Sequence, residues 1–360
     1  MVRERRTMTG MGAGLAVLLL IPVIYCRHNA AAADFYATRI YPGISAALSF
    51  IASPFGFSLT ELVVVAAIAV FIWLIIKAFA RHEKWWKWLL SEVLLLVWVY
   101  IWFYGAWGIN YSRSSLYSRA GAAPMPYEEA EFHEFLQEFA EQLNGNWCPP
   151  EAFAEIGREA VEPHVKAWYS ALPPESGLCK PRGWQHPKKP VFNRMYSGVG
   201  VLGFLGPAFD EMHINTDITP LEYPFVFAHE YAHVLGVSSE AEANFWAFEL
   251  SRASDNKAVR YSAWYSLLSF TWRNIQSLLD EEDFKAWVGS LRPEIIDDLE
   301  RTQEHWQGMR WTAIAKMQKW IYDLFLRSNN IAEGTRNYGQ VLRLVLTFSD
   351  LHSHEDGEEG

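Results

Sequence analysis

The sequence predicts a mainly α membrane protein, with three N-terminal transmembrane helices ahead of a helix-rich α+β domain that lies outside the lipid. Three observations predict it. Apolar runs at residues 8–26, 59–79 and 88–107 are each close to the roughly 20 residues that a helix needs to cross a bilayer. Basic residues stand before the first run and between the second and third, which orients the spans. From Gly108 onward, charged and apolar residues recur at the spacing of half-buried helices in water. The chain therefore reads as a membrane domain (1–107), a second domain (108–348) and an acidic tail (349–360).

The first run contains GLAVLLLIPVIY behind Arg3, Arg5 and Arg6. With the four alanines at 30–33 it also reads as a cleavable signal peptide, and both readings put Arg27 outside the cell. The second contains LVVVAAIAVFIWLII and the third LLSEVLLLVWVYIWFYGAW; helices apolar on all faces for that length are membrane spans rather than soluble core. Lys77, Arg81, Lys84 and Lys87 place the link between them on the cytoplasmic side, and Trp85, Trp86 and Trp88 fit an interfacial belt. Glu61 and Glu92 are expected at span ends, solvated by headgroups, with a functional intramembrane role as the alternative. Ile40, Ile44, Ala47, Leu48 and Ile51 recur at helical spacing and predict an amphipathic segment on the outer surface.

The second domain opens with a helix whose Glu128, Glu129, Glu131, Glu134 and Glu138 face water, while Phe132, Phe135, Leu136 and Phe139 point inward. Loops at 144–150 and 173–190 carry Cys148 and Cys179. In an oxidising compartment these form either a disulfide, contributing about 3 to 4 kcal/mol by the chain-entropy argument, or two free thiols. Gly198, Gly200 and Gly203 spell G-x-G-x-x-G, but Gly206 and Pro207 follow where a dinucleotide fold requires a helix. A hairpin or strand running through Phe209, Glu211 and Ile214 is expected instead, with Glu211 and His213 as candidate cleft residues. The net charge of −10, carried mainly by the back of the chain, argues against nucleic acid as a partner, since phosphate binding needs clustered Lys and Arg.

The chemistry concentrates at His229, Glu230 and His233, an H-E-x-x-H motif on a helix begun by Pro224. Residues four apart share a helix face, so the two imidazoles can offer nitrogens to one Zn2+ ion. Glu230 is placed to take a proton from a water activated by the metal, the arrangement of a metal-assisted hydrolase. Gly236 is expected to end the helix in a left-handed residue, with Ser238 and Ser239 capping a second helix over 240–251. A third ligand is expected there, Glu240 or Glu242; Glu242 competes for a capping box, three residues after Ser239.

E-A-E-A-N at 240–244 resembles the E-x-x-A-D/N element that follows H-E-x-x-H in glutamate zincins. That resemblance implies Glu240 as the metal ligand and Asn244 as the residue that orients a ligating histidine. Only six residues separate His233 from Glu240, fewer than in most glutamate zincins. H-E-x-x-H-x-x-G is also similar to the metzincin motif, yet Ser239 stands where a metzincin has its third histidine.

Downstream the pattern predicts helices over 261–279, 283–289, 293–326 and 338–348, with the stripe Trp311, Ile314, Met317 and Ile321 read as core. Arg260, Tyr261 and Tyr265 are candidates for packing or for an oxyanion donor. The tail, with His352 and His354, is expected to be disordered.

Over most of its length the sequence resembles a bacterial family of zincin-like membrane proteins, domain of unknown function 3810. The residues that carry this are PFGFSLTE at 54–61, WGINYSR at 107–113, the run of Phe209, Glu211 and Asn215, the H-E-x-x-H and E-A-E-A-N segments, RYSAWY at 260–265, YDLFLRSNN at 322–330, and Gly334 with Tyr338. The family implies no activity; the motif does. The expectation is a multi-pass cell-membrane protein with its C-terminal domain extracytoplasmic. It would be a zinc metallopeptidase with Glu230 catalytic and His229, His233 and Glu240 on the metal, acting on a peptide or protein beside the lipid bilayer. The alternative is a non-catalytic zinc-stabilised membrane protein of envelope assembly or sensing.

Overall fold

The computed structural model describes residues 2–80, 85–125, 129–329 and 338–348. Among them the chain is mainly helical, with one two-stranded sheet. The tail at 349–360, Arg81, Lys84, Glu128 and Gly334 lie outside the described residues, as do the side chains of Arg3, Arg5, Arg6, Trp85, Lys87, Glu129 and Tyr338. The chain divides into two units. The first comprises Met1–Ser114, Arg182–Val191 and Leu205–His213; the second comprises Ser115–Pro181, Phe192–Phe204 and Ile214–Gly360.

The first unit begins with α1 (Val2–Arg27) and α2 (Ala30–Phe35), whose N-terminus is capped by the Asn29 side chain. A π-helical turn, Tyr36–Ile40, leads into α3 (Tyr41–Ala52), followed by α4 (Leu59–Ala80) and α5 (Trp85–Ala106). Leu59–Ala80 and Trp88–Ala106 are long and apolar enough to cross a membrane. A third crossing is counted if Met11–Arg27 and Ala30–Ala52, bent by 107°, form one span. Along α4, Val63, Ile68, Ile72 and Ile76 are all exposed, a surface compatible with a lipid setting.

Polar residues of the first unit are paired rather than solvated. Glu61 and Glu92 are buried, which corrects the expectation of headgroup solvation. Glu61 accepts the Val191 N–H at 2.7 Å from a distant segment of the unit, and Glu92 accepts the Trp88 indole N–H at 3.1 Å from the preceding turn of its own helix. Glu211 is also buried; it accepts the backbone N–H groups of Leu59 and Thr60 at 3.0 and 2.7 Å and the Lys188 ammonium at 2.6 Å. It therefore satisfies orphan donors of the first turn of α4 from a point 151 residues away in sequence. Burial opposes its charge, but the Lys188 and Thr60 hydrogen bonds prevail and hold the carboxyl below its usual range. Glu211 and His213 are thus buried structural residues, and the cleft role expected of them is withdrawn. On α3, Tyr41, Ser45, Leu48 and Ser49 are buried, while Ile40 and Ile51 of the predicted stripe are exposed.

In the second unit, α6 (Leu116–Ala120), α7 (Glu129–Asn146) and α8 (Pro150–Ala171) precede α9 (Asn193–Val199). The sheet, most of which (205–213) belongs to the first unit, pairs β1 (Gly203–Gly206) with β2 (Glu211–Ile214), the expected hairpin; no helix follows Gly203, so the glycine motif is not a dinucleotide turn. Then come α10 (Tyr223–Val234), α11 (Glu240–Arg252), α12 (Lys257–Leu278), α13 (Glu281–Ser290), α14 (Pro293–Met309), α15 (Thr312–Ser328) and α16 (Tyr338–Phe348). α10 packs chiefly on α11, and α11 on α12. Phe132, Phe135 and Phe139 of α7 are buried as expected, with Phe139 and Phe248 both against Trp264 at ring separations of 5.5 and 4.8 Å.

One alternative is decided and one expectation corrected. Cys148 and Cys179 are buried thiols that no disulfide joins; burial pushes the Cys148 thiol up to about 11, and the Cys179 N–H is spent on the Leu235 carbonyl at 3.0 Å. The helix expected over 293–326 breaks at Arg310 and Trp311, where the Trp311 N–H leaves the helical ladder to donate to the Gly198 carbonyl at 2.7 Å.

Asp210 gives the first unit a titration near neutrality. It is buried at a left-handed φ of 53° and accepts hydroxyl hydrogen bonds from Tyr41, at 2.9 Å, and from Ser45. Burial raises its carboxyl from 3.8 to about 7, against the opposing pull of the Ser45 and Tyr41 hydroxyls and Arg182. The folded chain then keeps a proton that the unfolded chain releases, so this stability falls as pH rises between those two values and stays lost above them. Asp210→Asn is expected to remove that slope and to suit the left-handed backbone. The gain in thermal midpoint over the parent, in detergent, should be larger at about pH 8 than at about pH 5; equal gains at both would contradict the assignment.

Candidate metal centre

α10 is built to be buried. Its start is fixed by Thr219 and Glu222, whose side chains hydrogen-bond at 2.7 Å while Glu222 also accepts the Thr219 N–H at 3.2 Å, and Pro224 occupies the first turn. Every residue from Tyr223 to Val234 is buried except His229, which is partly exposed. Two imidazoles and a carboxylate on such a helix have lost water and need partners.

The end of α10 supplies one. Gly236 has φ 97°, a left-handed turn in which Gly236 and Val237 N–H groups return to the His233 and Ala232 carbonyls at 3.0 and 3.1 Å. The turn brings the Val237 carbonyl to His233 Nδ1 at 2.7 Å. A carbonyl only accepts, so Nδ1 carries the proton and neutral His233 presents a bare Nε2. Ser239 then caps α11 by accepting the Glu242 N–H at 3.3 Å, and Glu240 opens the helix beside the histidines.

Three donor atoms converge. His229 Nε2 lies 3.2 Å from His233 Nε2, and Glu240 Oε2 lies 3.3 and 3.7 Å from the two. Burial would lower His233, but the Glu240 hydrogen bond and the charges of Glu240 and Glu230 outweigh it and raise the imidazole to about 9. Glu240 is displaced the other way: burial works against its charge, and the two histidines hold it well below the usual carboxylate range. Such mutual shifts mark donors that gain from a positive charge among them.

Glu242 is not part of the cluster; its carboxylate pairs with Arg119 and accepts the Trp246 indole N–H at 3.2 Å. Asn244 lines the same cavity, but its Oδ1 is buried with no partner, as is His229 Nδ1, so the orienting hydrogen bond implied for it is not formed. Val237 does that work for His233 instead. Arg260 is spent on Asn146 and the 254–255 carbonyls, and the Tyr261 and Tyr265 hydroxyls donate to Asp298, which leaves all three away from the centre.

The residue that sequence reasoning passed over is Tyr322. Its hydroxyl donates to Glu240 Oε1 at 2.6 Å, which leaves Oε2 as the oxygen turned to the histidines. The signal was a tyrosine on the same helix face as the small inward Ala315 and the apolar Leu326, but its target is 82 residues away.

An open cavity of about 260 Å³ is lined by His229, Glu230, Glu240, Asn244 and Tyr322, with Gly203 on one wall. Glu230 is buried, and its Oε2 has no hydrogen-bond partner. Burial raises its carboxyl above the usual range, with His229 and His233 pulling it back in part. A Cβ added at Gly203 would stand 2.6 Å from Glu230 Cγ and 2.7 Å from Oε1, so main chain alone fits there. Asn215 holds that wall: its Nδ2 donates to the Val201 carbonyl and its N–H to the Leu202 carbonyl, both at 2.8 Å.

Residues 36–346 match the family described as Protein of unknown function (DUF3810). No curated protein and no solved structure matches.

Gly236→Ala is expected to cost about 1–2 kcal/mol, the price of a side chain in a left-handed turn. Gly145→Ala is the control, in helix α7 with nothing within 4 Å of the added Cβ, and should be neutral or slightly stabilising. Thermal unfolding of the solubilised chain checks both.

Proposed function

We propose that this chain, which belongs to the DUF3810 family, is a membrane-anchored zinc metallopeptidase with a zincin-like site in its second unit. One observation carries the reading. The three donor atoms stand 3.2, 3.3 and 3.7 Å apart, close to the roughly 3.3 Å between donors on a tetrahedral zinc ion, and the buried, unpartnered oxygen of Glu230 belongs to the same cavity.

The donor set fits the ion: two imidazoles and one carboxylate are a catalytic zinc combination that leaves a position open. Bound zinc supplies Lewis acidity and brings a water's pKa near neutrality. The chain's own residues do the rest. The Val237 carbonyl fixes the tautomer that frees His233 Nε2, and Tyr322 keeps Glu240 to a single free oxygen. Glu230 takes the proton of the attacking water and returns one to the leaving amine; a carboxyl raised by burial is suited to giving it back. The Asn244 amide oxygen is available to a substrate N–H.

In the same reading α4 and α5, with α1 and the bent α2–α3 segment as a third span, anchor the chain in the cell membrane. The basic residues Arg3, Arg5 and Arg6 at the start of α1 and those around Lys77 lie in the cytoplasm, and the second unit lies outside, facing a peptide or protein substrate.

Zinc analysis of the purified chain is expected to give one equivalent, lost in His233→Ala and retained in Glu242→Gln. Glu230→Gln should keep zinc while cleavage of a mixed peptide library falls by about 10²–10⁴-fold. Zinc retained with no Glu230-dependent cleavage would favour the structural, non-catalytic role.

A further inference from the structure

α15 is amphipathic the wrong way round for a core helix. Ala315 and Leu326 are buried and Tyr322 turns inward to Glu240. Ile314, Met317, Ile321 and Leu324, spaced as one helical stripe, are instead 43%, 56%, 52% and 56% exposed, with Trp320 beside them at 67%. The expectation that this stripe is core is therefore corrected. Together these side chains expose several hundred Å² of apolar surface, the range in which a patch marks an interaction. Lys316 and Lys319 are exposed along one flank, where Arg327 is paired with Asp323 at 2.9 Å, so the helix is locally basic in a chain of net charge −10.

Chain connectivity limits where this helix can be. The Trp311 N–H at its head donates to the Gly198 carbonyl, and α15 packs on α9. Gly198 is seven residues from Val191, whose N–H is held by Glu61 in the first turn of α4. Even fully extended, that stretch spans about 25 Å, so the head of α15 stays within a short tether of the end of a candidate span. Phe192 and Met195, on the same stretch, are exposed as well.

We infer that α15 is an interfacial helix, lying on the outer leaflet with its Ile, Met, Leu and Trp side chains at the acyl boundary and Lys316 and Lys319 at the lipid phosphates. Tryptophan with leucine on one face and lysine on the flank is the composition that such a surface selects. The inference rests on the membrane-anchored reading above and on neither zinc nor hydrolysis. Because Tyr322 and Leu326 line the metal cavity from the inner face of this helix, lipid contact steadies one wall of the site.

The test uses the full chain in vesicles of phosphatidylcholine and phosphatidylglycerol, with the photo-crosslinker benzoylphenylalanine in place of Met317, Trp320 or Leu324. Exposed Gln307 on α14 serves as the polar control and exposed Val65 on α4 reports anchoring. Lipid adducts at 317, 320 and 324, several-fold above 307, are the expected result. Adducts at 65 with none at the three α15 positions would overturn this inference and leave the anchoring intact, whereas adducts at no position would overturn both. Crosslinks between two copies of the chain, in place of lipid, would assign the stripe to self-association and overturn it.

Discussion

Two imidazole nitrogens at 3.2 Å with a carboxylate oxygen beside both cannot rest without positive charge among them, and the second unit is arranged to keep them there. α10 is buried almost all round, so Glu230 is held away from bulk water and His229 is only partly exposed, on the cavity side. The left-handed Gly236 turn does double duty. It reverses the chain so that α11 starts beside its predecessor, and it delivers the carbonyl that fixes the His233 ring. The capped start of α11 then sends Glu240 toward the histidines and Glu242 away to Arg119. One turn of backbone thereby decides which of two neighbouring acids joins the cluster.

The first unit solves a related problem with different means. Apolar helices such as α4 have few polar side chains with which to finish their ends, and the unmet N–H groups of a first turn are costly wherever water is scarce. Here the finishing groups come from far along the chain: Glu211, itself neutralised by Lys188, accepts from α4, and Val191 in turn donates to Glu61. The segments 182–191 and 205–213 thus belong with the N-terminal helices although some seventy residues or more of the second unit separate them in sequence.

What could be read from the sequence follows the range of the interactions concerned. The H-E-x-x-H face, the Pro224 start, the Gly236 stop and the Ser239 cap are set within one or two helical turns, and each stands where local rules put it. Local rules left Glu240 and Glu242 both open and only the zincin resemblance pointed to Glu240; the Arg119 partner that takes up Glu242 lies more than a hundred residues upstream. Tyr322, the burial of Glu61 and the break before α15 were not readable, because each depends on a distant backbone or side-chain group: the Glu240 carboxylate, the Val191 N–H, the Gly198 carbonyl. The Trp311 to Ile321 stripe misled for another reason. Helical periodicity reports that one face is apolar, not what the face meets, and here it faces outward. Compartment alone left Cys148 and Cys179 open between a bridge and two thiols, and the fold buries both without a disulfide.

The wall at Gly203 has a consequence for how this sequence can diverge. Main chain lies so near the Glu230 side chain that a single methyl group would displace it, and Asn215 ties that main chain down from the other side. Position 203 is then a tracer for the acid opposite it. A larger residue at 203 requires the Glu230 side chain or the hairpin itself to shift, so substitutions at positions 203 and 230 are expected to accompany one another.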